Sequence, residues 1–260
     1  MSTGNSAGIK FDIPTDELMK KLPSKPFEVY TYHYYGGVSR RCGGNQTTES
    51  VLSEEWLSKT EKALKFYKDS RDNYNPGAPI WLNETAEAAC GGDPLASTYI
   101  DIFRYLEQLG RLAQKGVQSV MHNTLCGSEY ALLEHDTHDP RPNYWAALLW
   151  SKLMGTNVYE TSSIAPGVDI FIHNLKNSAN GMAVLIVNPT DAEHSVTIPS
   201  NAEQYMLTAD ELETKTIKLN GEILRLKHDE TLPDIKGKKV NAGEVKLPPH
   251  SILFLSFKNI

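Results

Sequence analysis

The chain has 260 residues, enough for one large domain or for two of about 100–150 residues each, and enough to bury a sizeable core. With 40% apolar and 22% charged residues it has an ordinary globular composition, and its uncharged apolar runs, such as "GMAVLIV", fall far short of the roughly 18 residues that span a bilayer. A net charge of −6 with no long basic run excludes the electrostatic footprint of a nucleic-acid binder, so neither a nucleic-acid partner nor a membrane span is expected.

Residues 1–20 lack a charged segment followed by an apolar one, so no secretory signal is expected; either the chain is cytosolic or its true start is missing. "FEVYTYHYY" (27–35) reads as a buried strand from its aromatic and β-branched content. A helix is predicted over 53–69, with Ser53 as N-cap, Glu54 and Glu55 in the first turn, and Trp56, Thr60, Ala63, Leu64 and Tyr67 at helical spacing. The pattern then repeats. "APIWLNE" (78–84) is a second strand, Asp93-Pro94 supplies an N-cap with proline behind it, and a helix follows with Leu95, Tyr99, Ile102, Leu106, Leu109 and Ala113 as its inner stripe. "VQSVMHNTL" (117–125) is the third strand, and Asn143 caps a third helix that runs to Gly155. Three successive βα units imply a parallel sheet with right-handed crossovers.

Beyond about residue 157 the apolar period changes from 3.6 to 2. "VDIFIHNL", "GMAVLIVN", "HSVTIPS", "TKTIKLNGEILRL", "EVKLPP" and "SILFLSF" read as short strands, and Asn220-Gly221 signals a two-residue hairpin. The expected division is therefore an α/β part over 1–156 and an all-β part over 157–260.

Functional groups of a parallel α/β sheet gather at the carboxyl ends of its strands. Those positions hold His33, Tyr34, Tyr35, Arg40, Arg41 and Cys42 after the first strand, and Asn83, Glu84, Thr85, Glu87, Cys90, Gly91 and Gly92 after the second. After the third stand His122, Asn123, Cys126, Glu129 and Tyr130. Glu84 closes an apolar run, so a catalytic carboxylate and a salt-bridged or capping glutamate are both open readings. Gly91-Gly92-Asp93-Pro94 has the composition of an anion-binding helix start and equally of a tight turn. His33 and His122 have no third ligand at metal spacing, so no metal site is expected. The three cysteines have no C-x-x-C pair, and a bond between two of them and free thiols both remain open. Of the sequons, Asn45-Gln46-Thr47 suits a loop glycan and Asn83-Glu84-Thr85 does not.

The segments "TYHYY", "PIWLNETAEAACGGDPLAS", "VMHNTLCGSEYALLE", "DPRPNYWAALLWSKLMGT" and "IKLNGEILRLKHDETLPDIKG" resemble the heparanase-like glycosidases, glycoside hydrolase family 79. The resemblance implies a (β/α)8 barrel, a TIM-type barrel, followed by an antiparallel β-sandwich, with residues 1–156 as the last three βα units and 157–260 as the sandwich. It implies retaining hydrolysis of β-glucuronides by two glutamates. Glu84 would be the nucleophile, Tyr35 would hold it oriented and ionised, and His33 would line the same pocket. Cys90, Gly91 and Tyr130 match the positions that recognise the uronate carboxylate, Cys90 standing where relatives carry glycine, and Asn123 stands where many relatives have a pocket glutamine. The family's acid/base glutamate lies on the fourth barrel strand, which this chain does not include, so the expected partners are a glucuronide glycan and the missing N-terminal barrel half. No cofactor is implied. The family location is extracellular or lysosomal, membrane-associated forms included. The alternative reading is a catalytically incomplete carbohydrate-binding or interaction module.

Overall fold

A computed structural model of the chain describes residues 15–24 and 27–258; the start of the first assigned part (1–14) and the last two residues of the second lie outside them. In chain order the elements are α1 (Thr15–Met19), β1 (Tyr30–Val38), α2 (Thr48–Val51), α3 (Glu54–Leu57), α4 (Lys59–Tyr74), β2 (Ile80–Ala89), α5 (Tyr99–Gln114), β3 (Ser119–His122) and α6 (Pro142–Leu153). The strands β4 (Met154–Tyr159), β5 (Asp169–Leu175), β6 (Met182–Asn188), β7 (His194–Ile198) and β8 (Ala202–Thr208) follow. Last come β9 (Lys218–Leu219), β10 (Glu222–Ile223), β11 (Lys238–Val240), β12 (Gly243–Leu247) and β13 (Ser251–Phe257).

The first three strands form a parallel sheet in the order β1-β2-β3, each followed by a helix, and among the described residues this sheet does not close on itself. The remaining strands form an antiparallel sheet in the order β10-β9-β8-β13-β6-β5-β4, with β11 beside β8, and a separate β7-β12 ribbon. Alternation along the central strands sorts the packing. Ala183, Leu185 and Val187 of β6 and Ile252 and Phe254 of β13 meet α5 and α6, while Val184, Ile186, Leu253 and Leu255 meet Ile198, Val245 and Leu247 of the ribbon. The architecture is thus α/β with mixed parallel and antiparallel sheets, layered as parallel sheet, helices, antiparallel sheet and ribbon.

Several elements depart from the sequence expectation for identifiable reasons. Ser53 does cap a helix, accepting from the Trp56 N–H at 3.2 Å, but that helix ends after one turn, where the Ser58 hydroxyl donates to the Glu54 carbonyl, and α4 starts afresh at Lys59. Asp93 does not cap α5. It folds a separate turn, accepting from the Leu95 N–H, and α5 starts at Tyr99, where the N–H groups of Tyr99 and Ile100 donate to the carbonyls of Thr214 and Leu212. Arg141, not Asn143, occupies the N-cap of α6, and the Asn143 amide donates to buried Asp101 at 2.6 Å. Gly155 is no helix cap either: a side chain there would collide with Asn174, and it lies in β4. The expected boundary at 156/157 falls inside that strand, so the antiparallel sheet starts at Met154, directly where α6 ends. Strand β2 runs on to Ala89 because Ala86, Ala88 and Ala89 pair with Tyr35, Gly37 and Val38, overriding the helical preference of alanine. The Asn220-Gly221 turn is present, with φ +52° and +92° and Leu219 paired to Glu222.

Helix α5 lies between the two sheets and is buried almost all round. Tyr99, Ile102, Phe103 and Leu106 face the antiparallel sheet, whereas Leu112 joins Leu64, Ile80 and Leu82 against the parallel one. At Gly110 the approach is closest, for an added Cβ would lie 2.4–2.5 Å from the Phe171 ring carbons. Gly110→Ala should therefore destabilise the fold: overpacking costs about 1–3 kcal/mol, whereas alanine returns only ~1 kcal/mol of helix propensity. Denaturant unfolding tests this, and a stabilised variant would mean that the layers can separate freely.

Candidate active site

Tyr30, Tyr32 and Tyr34 of β1 turn toward α4 and α5, where Tyr32 stacks on Tyr67 with ring centroids 4.7 Å apart. Alternation puts His33 and Tyr35 on the opposite, inner face. On β2, Ile80 and Leu82 also pack against the helices, so unbroken alternation would carry Glu84 into the same apolar core. The register prevents this. Tyr32 pairs with Leu82 and His33 with Glu84, which makes Asn83 an extra residue, and the pairing with β3 slips across the same segment, from Leu82–Val120 to Thr85–His122. Beyond this bulge Glu84 shares the inner face with His33 and Tyr35, while Thr85 and Glu87 turn toward α5.

The inner face holds a compact polar group. The Tyr35 hydroxyl donates to Glu84 Oε1 at 2.6 Å, and the Asn123 amide donates to the Tyr35 oxygen at 2.8 Å and to the Tyr130 hydroxyl at 3.2 Å. Because Asn123 occupies the acceptor side of Tyr35, the phenolic proton is directed at the carboxylate. Burial and then the neighbouring carboxylate raise the Tyr35 pKa, so the phenol stays protonated and available as a donor. Glu84 Oε2 lies 3.5 Å from His33 Nδ1, and the Glu84 side chain remains 39% exposed. The arrangement is a carboxylate open on one side and held by a neutral donor on the other.

Asn123 is placed by its own N–H, which donates to the Thr85 carbonyl, and Tyr130 by His122, whose Nε2 lies 2.7 Å from the Tyr130 carbonyl. Burial, and then the Arg104 charge, lower the His122 pKa to about 4, so the ring is neutral at ordinary pH and donates from Nε2. His122 pairs with Thr85 and meets Tyr105 of α5 edge-on, so His33 and His122 project from opposite faces of the sheet. Cys90 and Gly91 lie just beyond the end of β2, in a turn where Cys90, Gly91 and Gly92 have φ of +72°, +83° and +91°. The cysteine question is resolved as a Cys42–Cys90 disulfide with Cα atoms 6.5 Å apart, leaving Cys126 free. Arg40 and Arg41, which follow the first strand, both turn onto the 91–93 loop.

Behind β2 lies a second polar group, and Thr85 and Glu87, expected after the second strand, lie within it. Thr85 donates to Gln108, Gln108 donates to Thr60, and Arg104 binds Asp101 in a bidentate ion pair. Glu87, only 1% exposed, faces this cluster. Asp101, Arg104 and Gln108 recur at i, i+3 and i+7, a polar helix stripe that could have been matched to Thr85 and Glu87 at i and i+2.

Relatives share this sequence over most of its length. The baicalin-β-D-glucuronidase of Scutellaria baicalensis is 33% identical over 255 residues, which cover 92% of this chain and 47% of that protein. Heparanase of Mus musculus is 28% identical over 257 residues, again 92% of this chain and 47% of the relative. The chain is a homologue of the heparanase-like proteins. This heparanase-like chain spans about half the length of the relatives it matches. No family model matches it. Among solved structures, a 4-O-α-L-rhamnosyl-β-D-glucuronidase from Fusarium oxysporum 12S superposes with a TM-score of 0.68 at 12% identity, covering 88% of this chain and 53% of the other. An α-L-arabinofuranosidase from Thermotoga maritima gives 0.62 at 15% identity, with 88% and 52% covered. These structures share the fold.

Burial, and then the Asp101 charge, raise the Glu87 pKa from 4.5 to about 8, with Asp93 adding to the rise and Arg104 opposing it. A carboxyl whose folded pKa lies above its unfolded value contributes stability below about pH 4.5 and loses it as pH climbs to about 8. Glu87→Gln should flatten that slope and gain thermal stability relative to the parent at pH 8, with little gain at pH 5. Parallel melting profiles from pH 5 to 8 would show that Glu87 is already ionised in the folded protein.

Proposed function

We propose that this chain carries the nucleophile side of a retaining β-glucuronidase. The observation that carries the reading is the short hydrogen bond from Tyr35 to a half-open Glu84, on a face shared with His33, Asn123 and Tyr130. Homology to heparanase-like proteins supports glycoside hydrolysis as the reaction class.

In this reading Glu84 attacks the anomeric carbon, the bond to the leaving oxygen breaks, and a protonated carboxyl about 5–5.5 Å away gives that oxygen its proton. The resulting glycosyl ester is then attacked by a water deprotonated by the same group, which frees Glu84. Tyr35 keeps the carboxylate fixed, while His33 and Asn123 line the sugar pocket. The N–H groups of Cys90 and Gly91, together with Tyr130, receive the uronate carboxylate. The proton donor belongs to barrel strands outside this chain. Strands β1, β2 and β3 with the helices that follow them are the last three βα units of a (β/α)8 barrel, and the antiparallel sheet with its ribbon is the β-sandwich. The exposed disulfide supports an extracellular or lysosomal location. The glycan that carries the glucuronide is the binding partner.

The test is hydrolysis of an aryl β-glucuronide by the full-length protein, with the configuration of the released sugar read by NMR. Retention is expected. Glu84→Gln should lower kcat by about 10³-fold or more, and Tyr35→Phe, which removes one hydrogen bond to a charged group, by about 10–100-fold. The 260-residue chain alone should bind sugar without turnover, since proton donation typically contributes about 10²–10⁴-fold and half the pocket wall is absent. Turnover that survives Glu84→Gln in the full-length protein would remove Glu84 as nucleophile, and sugar binding with no turnover in that protein would favour the binding-module alternative.

A further inference from the structure

We propose that Arg40, Arg41 and Cys42 form a clamp that fixes the Cys90-Gly91-Gly92 turn as a carboxylate receptor, which makes Arg41 and the Cys42–Cys90 bond positioning elements for uronate selectivity. The inference rests on the glucuronidase reading and adds residues to it.

The segment after β1 is laced to the turn after β2 by each of residues 39–42. The Ser39 N–H donates to the Ala89 carbonyl at 2.9 Å, and Cys42 is bonded to Cys90. Arg41 Nη2 donates to the carbonyls of Gly91 at 3.2 Å and Gly92 at 3.3 Å. The Arg40 N–H donates to Asp93 Oδ2 at 3.2 Å, and its Nε lies 3.4 Å from the same oxygen. Asp93 is fully buried, so this attachment is anchored in the protein interior. Residues 39–42 thereby hold residues 89–93 at every step.

The clamp acts on the orientation of the peptide planes. Three successive left-handed residues make a turn with little intrinsic stability for Cys90, which carries a Cβ. A trans peptide points its C=O and N–H in opposite directions. With the Gly91 carbonyl drawn to Arg41 and to the Glu129 N–H, the next N–H must point away from Arg41. The same holds for Cys90, because Ser39 takes the preceding carbonyl. Among the described residues no backbone acceptor meets the N–H of Cys90, Gly91 or Gly92, so the Gly92 donor aimed by Arg41 joins the Cys90 and Gly91 donors of the receptor. Such a run of backbone N–H groups suits an anionic oxygen pair. Gly92 has no room for a side chain, since an added Cβ would lie 2.9 Å from the Tyr130 N, and this closeness ties the turn to Tyr130, the other element of the receptor. Arg41 is exposed, so its task is directional and its removal leaves the core untouched.

The test uses the full-length protein and 4-nitrophenyl β-D-glucuronide. Arg41→Ala and Cys42→Ser should each raise KM about tenfold with kcat within about twofold, because misdirected donors weaken a hydrogen bond to a charged group without moving Glu84. Arg41→Lys, which keeps the charge and the donors but loses the rigid planar fork that aims them, should fall between. Dithiothreitol should reproduce the Cys42→Ser value in the parent and leave Cys42→Ser unchanged. Hydrogen exchange of the Glu129 amide, which donates to Gly91, supplies a readout independent of turnover and should accelerate in Arg41→Ala. A fall in kcat at constant KM, or unchanged Glu129 exchange, overturns the clamp. If the parent does not hydrolyse glucuronides at all, the functional reading fails separately, and the Glu129 exchange then decides for or against the clamp by itself.

Discussion

One inserted residue in the second strand decides where the carboxylate at the centre of this site points. Without the bulge at Asn83, Glu84 would follow Ile80 and Leu82 into the apolar layer formed with Leu64, Tyr67 and Leu112, where an ionised group is costly. With it, both faces of β2 are served at once. Leu82 stays in the core, Glu84 reaches Tyr35, and Thr85 and Glu87 meet the polar stripe of α5. Bulges are rare between parallel strands, and here the slip appears against both neighbours, so the whole sheet is built around it.

The site is then supported from two sides by different physics. On the inner face, neutral donors arranged in series, Asn123 to Tyr35 to Glu84, fix direction without adding charge. Behind the sheet, charge is abundant and buried: Asp101 and Arg104 pair within one helical turn, and Glu87 faces them from the strand. Buried ion pairs of this kind add little net stability, and the bond that ties β2 to α5 is the one from Thr85 to Gln108. A neutral His122 completes the support by gripping the Tyr130 backbone.

Features set by neighbouring residues were legible in the sequence. The Asn220-Gly221 turn and the Ser53 cap each depend on a few consecutive positions, whereas the contact between Tyr35 and Glu84 is expected only from the resemblance of "TYHYY" and "WLNET" to the heparanase-like glycosidases. Features decided by distant partners were not. The start of α5 moved from Asp93 to Tyr99 because its free N–H groups are met by carbonyls more than a hundred positions later. Asn143 was drawn from capping duty to Asp101, Ala86–Ala89 were pulled into a strand by β1, and the choice of Cys90 as partner for Cys42 required the two loops to be adjacent. Strands β4, β8 and β11 carry only weak apolar alternation, and their place is set by the sheet they join. The bulge itself leaves no mark in "IWLNET", since only the register of both neighbours reveals it.

The burial of α5 between the two sheets carries a consequence for motion. A helix with solvent along one side can rock, and the sheet it covers can breathe with it. This one is wedged, with Phe171 seated on Gly110 from one side and Leu82 and Leu112 in contact on the other. The antiparallel sheet therefore acts as a backstop to the inner face: a tilt of β2 toward α5 that would swing Glu84 away from Tyr35 must also press on the centre of the antiparallel sheet. Rigidity at the site is borrowed from a layer that contributes no residue to it.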